Sequence, residues 1–135
     1  TKYCPDSKWG YEGFTDDKTT LEPEDDAASV NWGGGWRMPT EAEFQKLLDN
    51  CEKSWTTYNG VGGYKFTSKT NSANSIFLRA AGYFDGTSHY SAGSPGRYWS
   101  SSLYSSYSND GRYLYFRSGY VDMNYTFRYL IRVWE

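Results

Sequence analysis

The chain has 135 residues, the length of one domain and hardly two. Val, Ile and Leu together number 13 while Trp, Tyr and Phe number 27, so a core must be built largely from aromatics. A net charge of -2 excludes the composition of a disordered chain, and the lack of long apolar runs, heptads or G-x-y repeats excludes membrane bundles, coiled coils and collagen. The balance hides an asymmetry: residues 1–53 carry six Lys/Arg against twelve Asp/Glu, and residues 97–135 carry five Arg against three acids. With no basic stripe and no polybasic patch, neither nucleic acid nor direct membrane insertion is expected.

Residues 1–22 read as an irregular N-terminal segment with aromatic anchors at Trp9, Tyr11 and Phe14. Cys4 and Cys51 allow one disulfide or two free thiols; their spacing, with His89 the only histidine, does not fit a zinc site. Pro23 suits the first residue of a short helix, with Glu24, Asp25 and Asp26 at its positive end and Gly33-Gly34-Gly35 ending it. A second helix opens with a Thr40/Glu43 capping box, and Phe44, Leu47, Leu48 and Cys51 share one face.

After Cys51 the pattern changes to strands. Segments 55–58 and 64–68 flank the turn residues Asn59-Gly60-Val61-Gly62-Gly63, and 75–80 is a short apolar strand. A long loop runs over 81–96, and Tyr98-Trp99-Ser100 opens another strand. Over 112–117, Leu114 and Phe116 alternate with Tyr113, Tyr115 and Arg117, and then Val121 and Met123 alternate with Asp122 and Asn124. Residues 130–134 close the chain as a strand. The class is α+β: two helices in the N-terminal half, then a mainly antiparallel sheet with long loops. Trp32, Trp36, Trp55 and Trp99 are expected to be largely buried. Phe44, Leu47 and Leu48 are expected to pack on a sheet containing Ile76, Leu78, Leu114 and Phe116.

No catalytic constellation is visible. His89 stands alone in a polar loop, with no G-x-S-x-G elbow, and the acids at 24–26 have a helix-dipole role. The expectation is therefore a non-enzymatic protein without cofactor. Eight of the fourteen tyrosines fall within 98–129, interleaved with Ser, Gly and Asn. That is the composition of antibody paratopes, where tyrosine gives large contact area at low rotamer cost. The alternation over 112–117 places such tyrosines opposite Leu114 and Phe116, on a face more apolar than a monomer usually leaves uncovered.

The run from Pro23-Glu24-Asp25-Asp26-Ala27-Ala28 through Trp32-Gly33-Gly34-Gly35-Trp36-Arg37-Met38-Pro39-Thr40-Glu41-Ala42-Glu43-Phe44 resembles the Fibrobacter major paralogous domain family. Trp55-Thr56-Thr57, Gly63-Tyr64-Lys65, Asn74-Ser75-Ile76-Phe77-Leu78, Ala80-Ala81-Gly82-Tyr83 and Tyr98-Trp99-Ser100-Ser101-Ser102 extend the resemblance over about residues 18–132. These are bacterial surface proteins, abundant in gut Bacteroidales, with a C-type-lectin fold. The resemblance implies one C-type-lectin-like domain over 1–135 and an extracytoplasmic place on a cell surface or a phage virion, with the export signal outside this chain.

In related proteins the C-terminal segment is the variable region of diversity-generating retroelements. The pattern Leu114-x-Phe116-x-Ser118-x-x-Val121, followed by Arg128, is similar to that framework, making 98–132 the candidate variable region. The resemblance then assigns Tyr104, Tyr107, Asp110, Arg112, Tyr113, Tyr115, Arg117, Tyr120, Asp122, Asn124, Tyr125, Phe127 and Tyr129 to ligand binding. The ligand implied is a protein or other macromolecular surface. A glycan-binding module, or a structural subunit of a surface fibre or virion, is the alternative. Calcium-dependent sugar binding in this fold uses Glu-Pro-Asn or Gln-Pro-Asp with Trp-Asn-Asp. Here Glu22-Pro23-Glu24 sits at a helix start and Asn109-Asp110 follows Ser108, so no metal is expected. Formylglycine-generating enzymes share the R-x-P-T-E-A-E motif but work through C-terminal cysteines, and no cysteine here lies beyond Cys51.

Overall fold

Asp26 organises the N-terminal half in the computed structural model of the chain, which describes residues 3–8, 11–85, 87–104 and 110–127. Its buried carboxylate accepts from the Ala28 and Ser29 N–H groups at 2.9 and 3.0 Å, capping helix α1 (Ala27–Trp32). The Met38 N–H also donates to it, at 2.9 Å, so one side chain ties the chain beyond α1 back to its start. The helix therefore begins four residues after Pro23, which lies in the preceding turn. Gly33, at φ 58, ends it as expected.

Helix α2 (Glu41–Asn50) opens on the expected capping box: Thr40 Oγ1 accepts from the Glu43 N–H, and the Thr40 N–H donates to Glu43 Oε2. Phe44 and Leu48 are buried on its inner face, with Leu47 and Cys51 beside them half-buried.

Strands β1 (Cys51–Tyr58) and β2 (Val61–Ser68) pair antiparallel from Tyr58↔Val61 to Cys51↔Ser68. Only Asn59 and Gly60 form the turn, with φ 49 and 78. Two successive positive φ values match the right-handed twist of a tight hairpin, so Val61, Gly62 and Gly63 belong to the strand and not to the loop. β3 (Ser75–Arg79) completes a three-stranded antiparallel sheet in the order β1-β2-β3. The expected long loop contains a short hairpin of β4 (Tyr83–Asp85) and β5 (Ser88–Tyr90). A second three-stranded antiparallel sheet follows in the order β6-β7-β8: Gly96–Leu103, Asp110–Arg117 and Tyr120–Phe127. The strand expected at 130–134 lies outside the described residues. The class is α+β, with most strands in the C-terminal half.

The core joins both sheets to α2: Phe44 and Leu48 from the helix, Tyr64 and Phe66 from β2, Ala80, and Leu114 and Phe116 from β7. Phe116 is fully buried, and its ring lies over Gly96, its partner on β6. Trp55 meets Phe116 edge-on, with centroids 6.4 Å apart. Leu78 packs half-buried against this core, but Ile76 is exposed. An open groove of about 350 Å³ lies between Leu47, Phe66 and Ile76.

The tryptophan expectation is corrected in part. Trp55 and Trp99 are half-buried, whereas Trp32 and Trp36 are 54% and 65% exposed. α1 buries only Ala28, and the glycine turn after it leaves the two indoles packed edge-to-face on each other at 5.9 Å. Cys4 and Cys51 are free thiols: Cys4 is buried with its Sγ toward the Asp6 carbonyl, while Cys51 begins β1.

Candidate functional site: the outer face of the C-terminal sheet

Directly paired residues of a sheet share a face, so the register of β6, β7 and β8 sorts their side chains. Gly96↔Phe116↔Val121 and Tyr98↔Leu114↔Met123 lie on the inner face, against α2 and the core. Arg97↔Tyr115↔Asp122 and Trp99↔Tyr113↔Asn124 form two rows on the opposite face, with Arg117↔Tyr120 as a third at the hairpin end.

The rings and guanidinium groups of this outer face make a continuous ladder. Tyr83 and Tyr90 stack across the β4–β5 hairpin with centroids 5.5 Å apart. The Arg97 guanidinium lies 4.1 Å from the Tyr83 ring centre and 5.6 Å from that of Tyr115. Tyr115 reaches Tyr120 at 6.0 Å, and Arg117 lies 6.0 Å over the Tyr120 ring. Each cation sits within range of attraction by a ring's electron-rich face. The ladder contains no proton-transfer pair and no nucleophile with a base beside it. It offers flat aromatic area, phenol hydroxyls and two arginines.

Tyr113 does not belong to the exposed part. It is only 5% exposed, packed edge-on against Trp99 at 5.4 Å, with Arg97 5.8 Å from its ring. Burial pushes its phenol pKa up, partly offset by the Arg97 charge, so the hydroxyl stays neutral at physiological pH. Asp122 and Asn124 have a structural duty on β8: their Oδ1 atoms accept from the Met123 and Tyr125 N–H groups, each at 2.8 Å.

The remaining sequence-assigned residues fall on the inner face, at the edge beside the start of α2. Arg112 lies 3.1 Å from Glu41 and stands over Tyr104 and Tyr125 at 4.5 and 5.7 Å. Tyr104 and Tyr125 are stacked with centroids 4.1 Å apart. Asp110 is buried, and Phe127 is its exposed partner across the ladder. The structure therefore brings Tyr115, Arg117 and Tyr120 together, with Asp122 beside them. Tyr104, Arg112 and Tyr125 gather in a second cluster on the other face. Tyr107 and Tyr129 lie outside the described residues.

Sequence reasoning missed Tyr83, Tyr90 and Arg97. Arg97 carries a signal in its i, i+2 spacing with Trp99 on one strand; the two tyrosines join the face only through a hairpin hidden within a glycine- and serine-rich stretch. Elsewhere, Glu22, Glu24 and Asp25 place one carboxylate oxygen each within 4.8 Å of one another, with Lys18 paired to Glu22 at 2.6 Å. No helix among the described residues is long and apolar enough to cross a membrane.

Residues 52–134, a span that includes the eight strands of the described residues but for the first residue of β1, match a family described as a domain of unknown function (DUF8237), and the chain belongs to that family. No curated protein matches the chain, and no solved structure does.

Proposed function

We propose that this DUF8237 domain is a non-enzymatic binding module with a C-type-lectin-like scaffold, displaying the outer face of β6-β7-β8 to a protein or other macromolecular ligand. The observation that carries this reading is the uninterrupted ladder from Tyr90 through Tyr83, Arg97 and Tyr115 to Tyr120, on the side of the sheet turned away from the core. Tyr and Arg dominate binding hot spots, and rigid two-torsion tyrosines lose little entropy when a partner covers them. The C-terminal residues fit the role of a retroelement-diversified region on a cell-surface or virion protein. The stability of this segment comes from its inward side chains, Leu114 and Phe116, packed with Phe66 in the core.

The test is a pair of variants on the immobilised domain, screened against arrayed surface-protein ectodomains. Tyr115→Ser combined with Tyr120→Ser should abolish capture while the melting temperature stays within a few degrees. Tyr113→Ser should instead lower stability, because that ring is core. Unchanged capture in the double variant would reject this face as the binding surface.

A glycan-binding reading rests on a different feature, the exposed Trp32–Trp36 pair. Indole faces stack on sugar rings, so a glycan-array signal lost on Trp36→Ala but retained in the tyrosine variants would favour it.

A further inference from the structure

Arg97 is the one member of the outer-face ladder whose chemistry is left incomplete. Its guanidinium is flanked by Tyr83, Tyr113 and Tyr115, and its Nε is buried without a hydrogen-bond acceptor. Among the described residues, no carboxylate lies within ion-pair distance of it. The other arginines near these tyrosines differ. Arg112 also has a buried Nε without a hydrogen bond but has the Glu41 carboxylate 3.1 Å away, and Arg117 is exposed to water on the hairpin. The acid in the same row, Asp122, stands two strands away, roughly 10 Å by ordinary strand spacing, and its Oδ1 is taken by the Met123 N–H. Ring faces attract a guanidinium from above and below but accept none of its in-plane N–H bonds. A planar, permanently charged fork held in an aromatic sleeve is the arrangement that favours an incoming carboxylate, because the fork matches its two oxygens and the rings have already fixed its orientation.

We propose that Arg97 is the anchor of the binding face and takes a carboxylate, an Asp or Glu side chain of a protein ligand, with Tyr83 and Tyr115 covering the apolar part of that side chain. This inference rests on the reading of the outer face as the binding surface and adds the chemistry of its partner. A peptide is favoured over an acidic sugar because the ladder is long, with Tyr90, Tyr83, Tyr115 and Tyr120 extending contact well beyond one charged group. Arg117 adds a second positive charge at the hairpin end, while Asp122, on β8 in the row of Arg97, leaves Arg97 as the place for the acid.

The probe is a displayed random heptapeptide library selected on the intact domain, with sialyllactose and glucuronate conjugates run in parallel. The expected result is enrichment of Asp or Glu at one position in peptides whose capture is lost on Tyr115→Ser. Changing that acid to Gln or Asn in a recovered peptide, which leaves the protein untouched, should weaken binding about tenfold or more, as loss of a charged hydrogen-bonded pair does. Arg97→Lys keeps the charge but loses the fork and should weaken the same peptide without affecting peptides bound elsewhere. Peptides that depend on Tyr115 but show no acidic position would overturn the carboxylate anchor and leave the binding face standing. Capture of the acidic sugars in place of acidic peptides would overturn the protein ligand. Peptides insensitive to Tyr115→Ser, or no capture at all, would overturn both readings.

Discussion

Gly96→Ala is the sharpest probe of how the scaffold supports the binding face. A Cβ on residue 96 would lie 2.1, 2.3 and 2.7 Å from three carbons of the Phe116 ring, where unstrained carbons keep about 3.5–4.0 Å. The ring must retreat by more than an ångström, yet Phe116 is fully buried between Tyr64, Tyr98 and Trp55, with centroids 5.6, 5.8 and 6.4 Å away. Overpacking of this kind costs about 1–3 kcal/mol, and a ring boxed in on three sides belongs at the upper end. Against a total stability of about 5–15 kcal/mol that is a large loss. In urea a loss of about 3 kcal/mol should lower the midpoint by about 1–3 M for a slope near 1–3 kcal/mol/M. Because Gly96 directly precedes Arg97 on β6, the strand shift that relieves the clash should also move the guanidinium off Tyr115 and weaken ligand capture. Phe116→Leu removes the atoms that clash, so Gly96→Ala with Phe116→Leu should be less destabilised than the two single variants predict, by at least about 1 kcal/mol. If Gly96→Ala unfolds within about 0.5 kcal/mol of the wild type, or if the two changes are additive, the close approach of ring and strand does not hold this sheet in place.

Asp26→Ala strips the acceptor from three backbone N–H groups at once, so it should cost about 3 kcal/mol, more than an ordinary cap loss of about 1 kcal/mol, measured by chemical denaturation. Thr40→Ala removes half of the α2 capping box and should cost only that smaller amount in the same assay. Hydrogen bonding from Arg37, then from the Thr40 N–H, holds the Glu43 carboxyl at about 2 instead of the ordinary 4.5. The folded value is the lower one, so this contribution is complete above pH 4.5 and is lost as pH falls from 4.5 toward 2. Glu43→Gln should flatten the acid limb of a stability–pH profile in that window, by a small amount that salt reduces further, because the pair is exposed. Thiol titration of the unfolded chain without reductant should find two free sulfhydryls, and a value near zero would mean that Cys4 and Cys51 pair.

Local signals in the chain were legible where backbone chemistry is local. The Thr40/Glu43 box, the i, i+3, i+4 face of Phe44, Leu47 and Leu48, and the Leu114/Phe116 alternation each depend on residues a few positions apart, and all three are present in the folded chain. So is the α+β class, which follows from the change of period after Cys51. Where local rules compete, the sequence was ambiguous: Pro23 and Asp26 both suit a helix start, and in the fold Asp26 is the cap, with the distant Met38 N–H joining its two local donors. Period two places Arg112 with Leu114 and Phe116, away from Tyr113 and Tyr115, which divides the assigned residues between two faces. Burial of Tyr113 and exposure of Trp32 and Trp36 were decided by tertiary structure, because burial depends on what arrives opposite a side chain and not on its own hydrophobicity. The same holds for the ladder itself: Tyr83 and Tyr90 meet Arg97 only because a short hairpin, distant from Tyr115 in sequence, folds against the edge of the second sheet, a contact no spacing rule along the chain can express.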